Sequence, residues 1–270
     1  MILTVNHATT YRYSAPMQGA VQSLRLTPSC HDGQLTRDWQ IEVEGGIRGG
    51  AFRDGAGDRV EGWSVRGPVS AVTVRVAGTV ETRDLHGVLG GHREVVPAAA
   101  YLGPSPPIDV DAALRALAEA AADGASDGLE RAHRLAAAVA GAIAYRPGAT
   151  HAHTTAAEAL ALGEGVCQDH AHALIACAHA LGMPARYVSG YLFADGDGIA
   201  HEAAHAWAEI WIAGLGWVGF DAANECCPDD RYIRLGSGRD SRDAAPIRGL
   251  ALGQGSERLD VAVAVTAAQQ

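Results

Sequence analysis

At 270 residues, 48% hydrophobic and 19% charged, the chain is long enough for two compact domains or one large one, and too apolar for intrinsic disorder. The net charge of −10, with all 21 basic residues arginine, argues against nucleic-acid partners, which need a basic face to displace counterions. No apolar run is long and glycine-free enough to cross a bilayer, no signal peptide is visible, and five scattered cysteines without a CxxC pair fit a reducing compartment. The expectation is therefore a cytoplasmic protein with no membrane partner.

The first hundred residues read as β structure. Alternating stretches at Val21 to Leu26, Asp38 to Val43 and Val69 to Val80 are separated by Gly- and Asp-rich turns, the pattern of a sandwich or small barrel. Gly103-Pro104-Ser105-Pro106-Pro107 then reads as a linker, because consecutive prolines hold the chain extended and cannot join a sheet interior. This divides the chain into a β-rich domain over 1–103 and a second domain over 104–270.

Ala- and Leu-rich helices are expected near 110–122, 128–143 and 156–162. Asp127 with Glu130, and Thr155 with Glu158, have capping-box spacing and mark two of the starts. A further helix covers 166–181, with Leu174, Cys177, Ala178 and Leu181 on one face, and Gly182 and Pro184 end it. Ala185 to Phe193 alternates as a strand, Ala204 to Ile212 and Trp217 to Asp221 read as a hairpin, and Leu259 to Val265 is a strand without an assignable partner. Helix followed by antiparallel strands makes this half α+β.

Cys167 follows Gly163-Glu164-Gly165-Val166 at the opening of a helix. Unpaired backbone N–H groups and the helix dipole favour a thiolate there, and the glycines permit a tight turn and close approach of substrate. A small core residue is the bland alternative, and mid-helix Cys177 fits that role better. A nucleophilic cysteine needs a base, and the base needs an orienting group. His205 opens the alternating Ala206-Trp207-Ala208-Glu209-Ile210-Trp211, and Asp221 closes Gly216-Trp217-Val218-Gly219-Phe220. A hairpin loop at Ile212-Ala213-Gly214 with left-handed Gly214 pairs Trp211 with Leu215, Trp207 with Gly219, and His205 with Asp221. Opposed β-carbons lie about 4.5–5.5 Å apart, within reach of an imidazole–carboxylate hydrogen bond.

Gly-Val-Cys-Gln-Asp, Gly-Met-Pro-Ala-Arg-Tyr-Val, His-Ala-Trp-Ala-Glu and Gly-Trp-Val-Gly-Phe-Asp, in this order over roughly 145–225, resemble the core of the transglutaminase-like superfamily. His7, Thr10-Tyr11-Arg12-Tyr13 and Gln22-Ser23-Leu24-Arg25-Leu26-Thr27-Pro28 resemble the β region preceding that core in bacterial members, and Ser237-Gly238-Arg239-Asp240, Ala245-Pro246 and Gly249 their C-terminal segment. The resemblance implies a β-sandwich-like domain followed by a papain-like α+β core, with the nucleophile at a helix N-terminus packed on an antiparallel sheet. It implies a triad of Cys167 as nucleophile, His205 as base and then acid, and Asp221 as orienter, working without metal or cofactor.

The shared chemistry is thiolate attack on a peptide or protein amide, giving a thioester. Water as acceptor makes a peptidase or amidase, the first choice; an amine makes a protein-glutamine gamma-glutamyltransferase; an idle site makes a binding module. The Cys167 N–H is the expected first oxyanion donor, with Gln168, Tyr145 and Trp207 as candidates for further support around it. One rival motif remains. His201-Glu202-Ala203-Ala204-His205 spells the HExxH of zinc proteases, but that motif needs a helix and a third ligand, and the residues after His205 have strand periodicity.

Overall fold

Leu3, Val5, His7 and Thr9 are buried and alternate with more exposed neighbours along Ile2–Leu24, the 23-residue first strand (β1), so one face looks inward. The computed structural model describes residues 1–193 and 204–267. β1 pairs antiparallel with the equally long Arg59–Thr82 (β4), whose other edge takes Gln34–Val43 (β2) and Gly46–Arg53 (β3). Register shifts between Arg12 and Gly19 mark a bulge in the β1–β4 ladder, the local device that bends a long strand. The alternating stretches at Asp38 to Val43 and Val69 to Val80 lie inside β2 and β4, while Val21 to Leu26 overruns the end of β1 at Leu24 by two residues.

The second half begins with the proline segment, which is packed rather than free. Pro107 and Ile108 are buried, and the buried Ser105 hydroxyl donates to Asp240. Helices Ala112–Ala122 (α1), Gly128–Ala142 (α2) and Ala156–Leu162 (α3) follow, and Asp111, Asp127 and Thr155 accept hydrogen bonds from their first turns as N-caps. Two-residue strands Ala144–Tyr145 (β5) and Glu164–Gly165 (β6) pair in parallel just before the helix Cys167–Ala180 (α4). His170 through Ala178 of α4 are all buried, so it is a central helix wrapped by α1, α2 and α3 rather than an amphipathic one. Against it lies a four-stranded antiparallel sheet, in the order Tyr232–Gly238 (β10), Ala185–Leu192 (β7), Ala204–Ile212 (β8), Gly216–Phe220 (β9). Gly87 and Leu89 hydrogen-bond to Gly219 and Trp217 and cover the β9 edge.

The last strands, Ile247–Leu252 (β11) and Glu257–Ala267 (β12), cross back and both pair antiparallel with β1. The strand expected at Leu259 to Val265 thus finds its partner at Val5 to Tyr11. Tyr191, Ile233 and Leu235 of the four-stranded sheet share one apolar core with Leu3, Leu24, Val65 and Val74 of the six-stranded sheet. The architecture is α+β, with a strand-rich first half and a second half whose four-stranded sheet lies between the helices and the first sheet.

Gly190 on β7 lets this core close around an indole. A β-carbon there would lie 2.6 Å from the Trp207 ring and would also collide with the Ile233 carbonyl. Gly190→Ala is expected to cost about 1–3 kcal/mol of overpacking, read as a lowered urea midpoint at unchanged slope.

Candidate active site

Three short devices fix Cys167 as the first residue of α4. Gly163, at φ +71°, ends α3 in the left-handed region and turns the chain into β6. Gly165 has no side chain because a β-carbon would meet that of Asp169 at 2.7 Å. Asp169 Oδ2 reaches back to accept the Val166 N–H (2.8 Å) and the Thr150 hydroxyl (2.6 Å), clamping the first turn. Cys167 is half-buried, and its backbone N–H and that of Gln168 have no partner among the described residues, as expected for a first helical turn.

His205 and Asp221 meet, but through a register two residues from the one expected. Trp211 stands opposite Trp217 and Ile212 opposite Gly216, so the loop is Ala213-Gly214-Leu215. Both Gly214 (φ +85°) and Gly216 (φ +84°) are left-handed, and the second glycine moves the turn along the chain. A shift of two leaves every side chain on its original face, so His205 and Asp221 become diagonal neighbours, still within reach of each other. His205 Nε2 lies 2.6 Å from Asp221 Oδ2, with the imidazole 7% and the carboxylate 1% exposed.

Burial pushes the His205 imidazole down, but hydrogen bonds and negative charge from Asp221 and Cys167 outweigh it and bring its pKa up to about 9. Nε2 is taken by the carboxylate, and Cys167 is among the groups that act on the imidazole. Burial also opposes ionisation of Asp221, yet its bonds to His205, Asn224 and Tyr232 hold the carboxyl below the usual range.

Gln168 follows Cys167 in the first turn of α4, half-buried. Tyr145, on β5 opposite Gly165, is 53% exposed, its ring 6.2 Å from that of His170. Trp207 is buried with its ring 6.4 Å from His205 and tilted only 28° from it, a wall behind the imidazole. His170 and His172, three and five residues beyond Cys167 in α4, are both buried. Nε2 of His170 is 2.8 Å from the Ile143 carbonyl, and Nε2 of His172 accepts the Ser241 N–H. Burial pushes the Cys177 thiol up to about 12, so this cysteine is a core residue. His201 and Glu202 of the HExxH pattern lie outside the described residues. His205 itself stands on the strand β8.

Two neighbours of Asp221 escaped the sequence reading. Asn224 Nδ2 is 2.7 Å from Oδ2 of Asp221, and the Tyr232 hydroxyl donates to the same oxygen at 2.8 Å. Asn224 carried a weak local signal, three residues beyond an aspartate in a turn. Tyr232 comes from β10 and carried none.

Residues 115–222 match the transglutaminase-like superfamily, and residues 3–81 match the bacterial transglutaminase-like N-terminal region. An uncharacterised protein of Mycobacterium leprae is 30% identical over 282 residues, covering 98% of each chain. An uncharacterised Mycobacterium tuberculosis protein is 44% identical over 115 residues, 39% of this chain and 37% of that one. Among solved structures, a candidate cysteine protease from Cytophaga hutchinsonii shares the fold with a TM-score of 0.76 at 22% identity, covering 100% of this chain and 92% of that one.

Proposed function

Because the chain belongs to the transglutaminase-like superfamily, we propose that it is a cysteine-dependent amide hydrolase, a peptidase or amidase working through a thioester. The observation that carries this reading is the buried His205–Asp221 hydrogen bond, with Cys167 at the opening of α4 among the groups that act on the imidazole. In the proposed cycle the Cys167 thiolate attacks the amide carbonyl carbon, and the open N–H groups of Cys167 and Gln168 are placed to receive the oxyanion. His205 then gives its proton to the departing amine, the C–N bond breaks, and a thioester remains. Neutral His205 takes a proton from water, hydroxide adds to the thioester, and the C–S bond breaks to release the carboxylic acid, which gives its proton to solvent, as the thiolate and imidazolium re-form. Asp221 orients the ring and balances its charge throughout.

The acceptor is tested by product analysis. An amide-bearing peptide library is turned over with and without a large excess of a primary amine. Hydrolysis yields carboxylates whose amount barely changes with amine. Adducts that dominate and saturate with amine would make the protein a transglutaminase. No turnover of any amide would leave a binding module on the same fold.

The nucleophile is tested separately. At pH 6 iodoacetamide is expected to label Cys167 first, because His205, with a pKa near 9, is charged there and can balance a thiolate. Burial pushes the Cys177, Cys226 and Cys227 thiols upward. Peptide mapping that finds Cys30, the exposed competitor, modified while Cys167 stays intact would remove Cys167 from the proposal.

A further inference from the structure

Oδ2 of Asp221 is unusually crowded for one carboxylate oxygen. Besides His205 it accepts from the amide of Asn224 and from the Tyr232 hydroxyl, while Oδ1 accepts the backbone N–H groups of Ala223 (3.0 Å) and Asn224 (3.2 Å). The loop carrying these donors is closed on itself, since Asp221 and Cys226 exchange backbone hydrogen bonds in both directions (2.8 and 3.1 Å). Tyr232 reaches in from a different strand. Its ring packs edge-on against Trp207 at 5.5 Å and lies 5.9 Å from the His205 ring.

We propose that Tyr232 and Asn224 are positioning residues for the acyl-transfer site, saturating Oδ2 of Asp221 so that the carboxylate stays ionised and the His205 ring stays aimed at Cys167. This rests on the reading of Cys167 and His205 as the reacting pair. Without these donors a carboxylate that is 99% buried would pay its desolvation largely unassisted. With them it is fixed in one orientation by groups on two separate elements, the loop and β10, so neither can drift alone.

The direction of the Tyr232 bond follows from its surroundings. Burial, then Asp221 and Cys226, push its phenol far above the ordinary range, so it keeps its proton and donates. The Cys226 thiol, 3.3 Å from the phenol oxygen, completes the chain Cys226, Tyr232, Asp221, His205. The ionisable groups facing Asp221 are thus His205 from β8, Tyr232 from β10 and Cys226 from the loop, with Cys167 of α4 acting on the imidazole and Arg231 and Asp229 acting on Cys226.

Tyr232→Phe removes one hydroxyl and keeps the ring that packs on Trp207. The experiment follows the Asp221 carboxyl by carbon-13 NMR titration and, in parallel, the rate of Cys167 alkylation by iodoacetamide from pH 5 to 10. In Tyr232→Phe the Asp221 titration is expected to rise by roughly one pH unit, the size of losing one hydrogen bond to a charged acceptor. Alkylation at pH 6 should fall several-fold, with a melting temperature near that of wild type. Asn224→Ala, at an exposed position, should move both readouts in the same direction and keeps the test open should Tyr232→Phe fold poorly. An Asp221 titration that moves in neither variant overturns the positioning role and leaves Tyr232 as packing. Absence of selective Cys167 labelling in the wild type would instead indict the reacting pair, whatever Asp221 does.

Discussion

His205→Ala is expected to lower amide turnover by on the order of 10³-fold or more, and Cys167→Ala by as much, because the two groups act as one unit. His170 and His172, the two histidines in the first turns of α4, are hydrogen-bonded to backbone groups and so offer no replacement. The double variant should be little worse than either single one, which separates a cooperating pair from two independent contributions. Asp221→Asn should cost less, because it orients the ring without exchanging a proton with substrate. Steady-state kcat and KM on any hydrolysed amide give the measurement. A double variant whose losses simply multiply would remove the shared step.

Glu209→Ala is expected to be the most destabilising single change at a buried charge. Glu209 is 3% exposed and accepts from both Arg186 (2.6 Å) and Arg234 (2.9 Å). Arg234 continues to Asp58 at 2.8 Å in the turn between β3 and β4, and Arg186 to Glu94, its guanidinium 4.0 Å above the Trp217 ring. Removing the shared carboxylate leaves two buried cations with one acceptor fewer, at a cost of about 3–5 kcal/mol. That corresponds to roughly 10 °C in melting temperature for a chain of this size.

The network also predicts an acid sensitivity. Burial opposes ionisation of Glu209, but the two arginines more than offset it and bring its pKa from 4.5 to about 2. A carboxyl depressed on folding stabilises fully above its unfolded pKa and loses that contribution as pH falls from 4.5 toward 2. His205 has the opposite sign. Raised from 6.5 to about 9, it contributes fully below 6.5 and loses its share as pH climbs through 9. Urea midpoints measured from pH 2 to 10 should therefore fall on both sides, and Glu209→Ala should flatten only the acid side. Arg134→Ala, which removes the half-exposed ion pair to Glu130 and leaves that residue's cap in place, should leave the midpoint near that of wild type.

What could be read from the sequence was what neighbouring residues decide. The capping residues Asp127 and Thr155 and the glycine turn before Cys167 act within a few positions, and each stands where the spacing put it. His205 and Asp221 come together although the hairpin register was displaced, because a displacement of two preserves the face. Gly216 looked like any strand-flanking glycine, and only the packed hairpin selects its left-handed backbone. Tyr232 is 11 residues from Asp221 and the link between them crosses a sheet, so no local pattern announces it. Arg234 and Asp58, 176 residues apart, are further out of reach still. The same holds for α4, whose burial on every side erased the amphipathic stripe that usually tells a helix how to lie.

The return of β11 and β12 to β1 bears on the order in which the protein can fold as it is made. β1 is translated first, yet its partners on one edge lie more than 200 residues downstream, with Leu24 waiting for Ile247 and Leu3 for Ala267. At ordinary elongation rates of about 5–20 residues per second, that edge stays open for on the order of ten seconds or more. Throughout that interval the helical half, with Cys167, His205 and Asp221, emerges as a long excursion between two ends of an unfinished sheet. An open β edge is a template for a neighbouring chain, so the arrival of β12, more than emergence of Cys167, His205 and Asp221, is the moment at which this fold becomes self-contained.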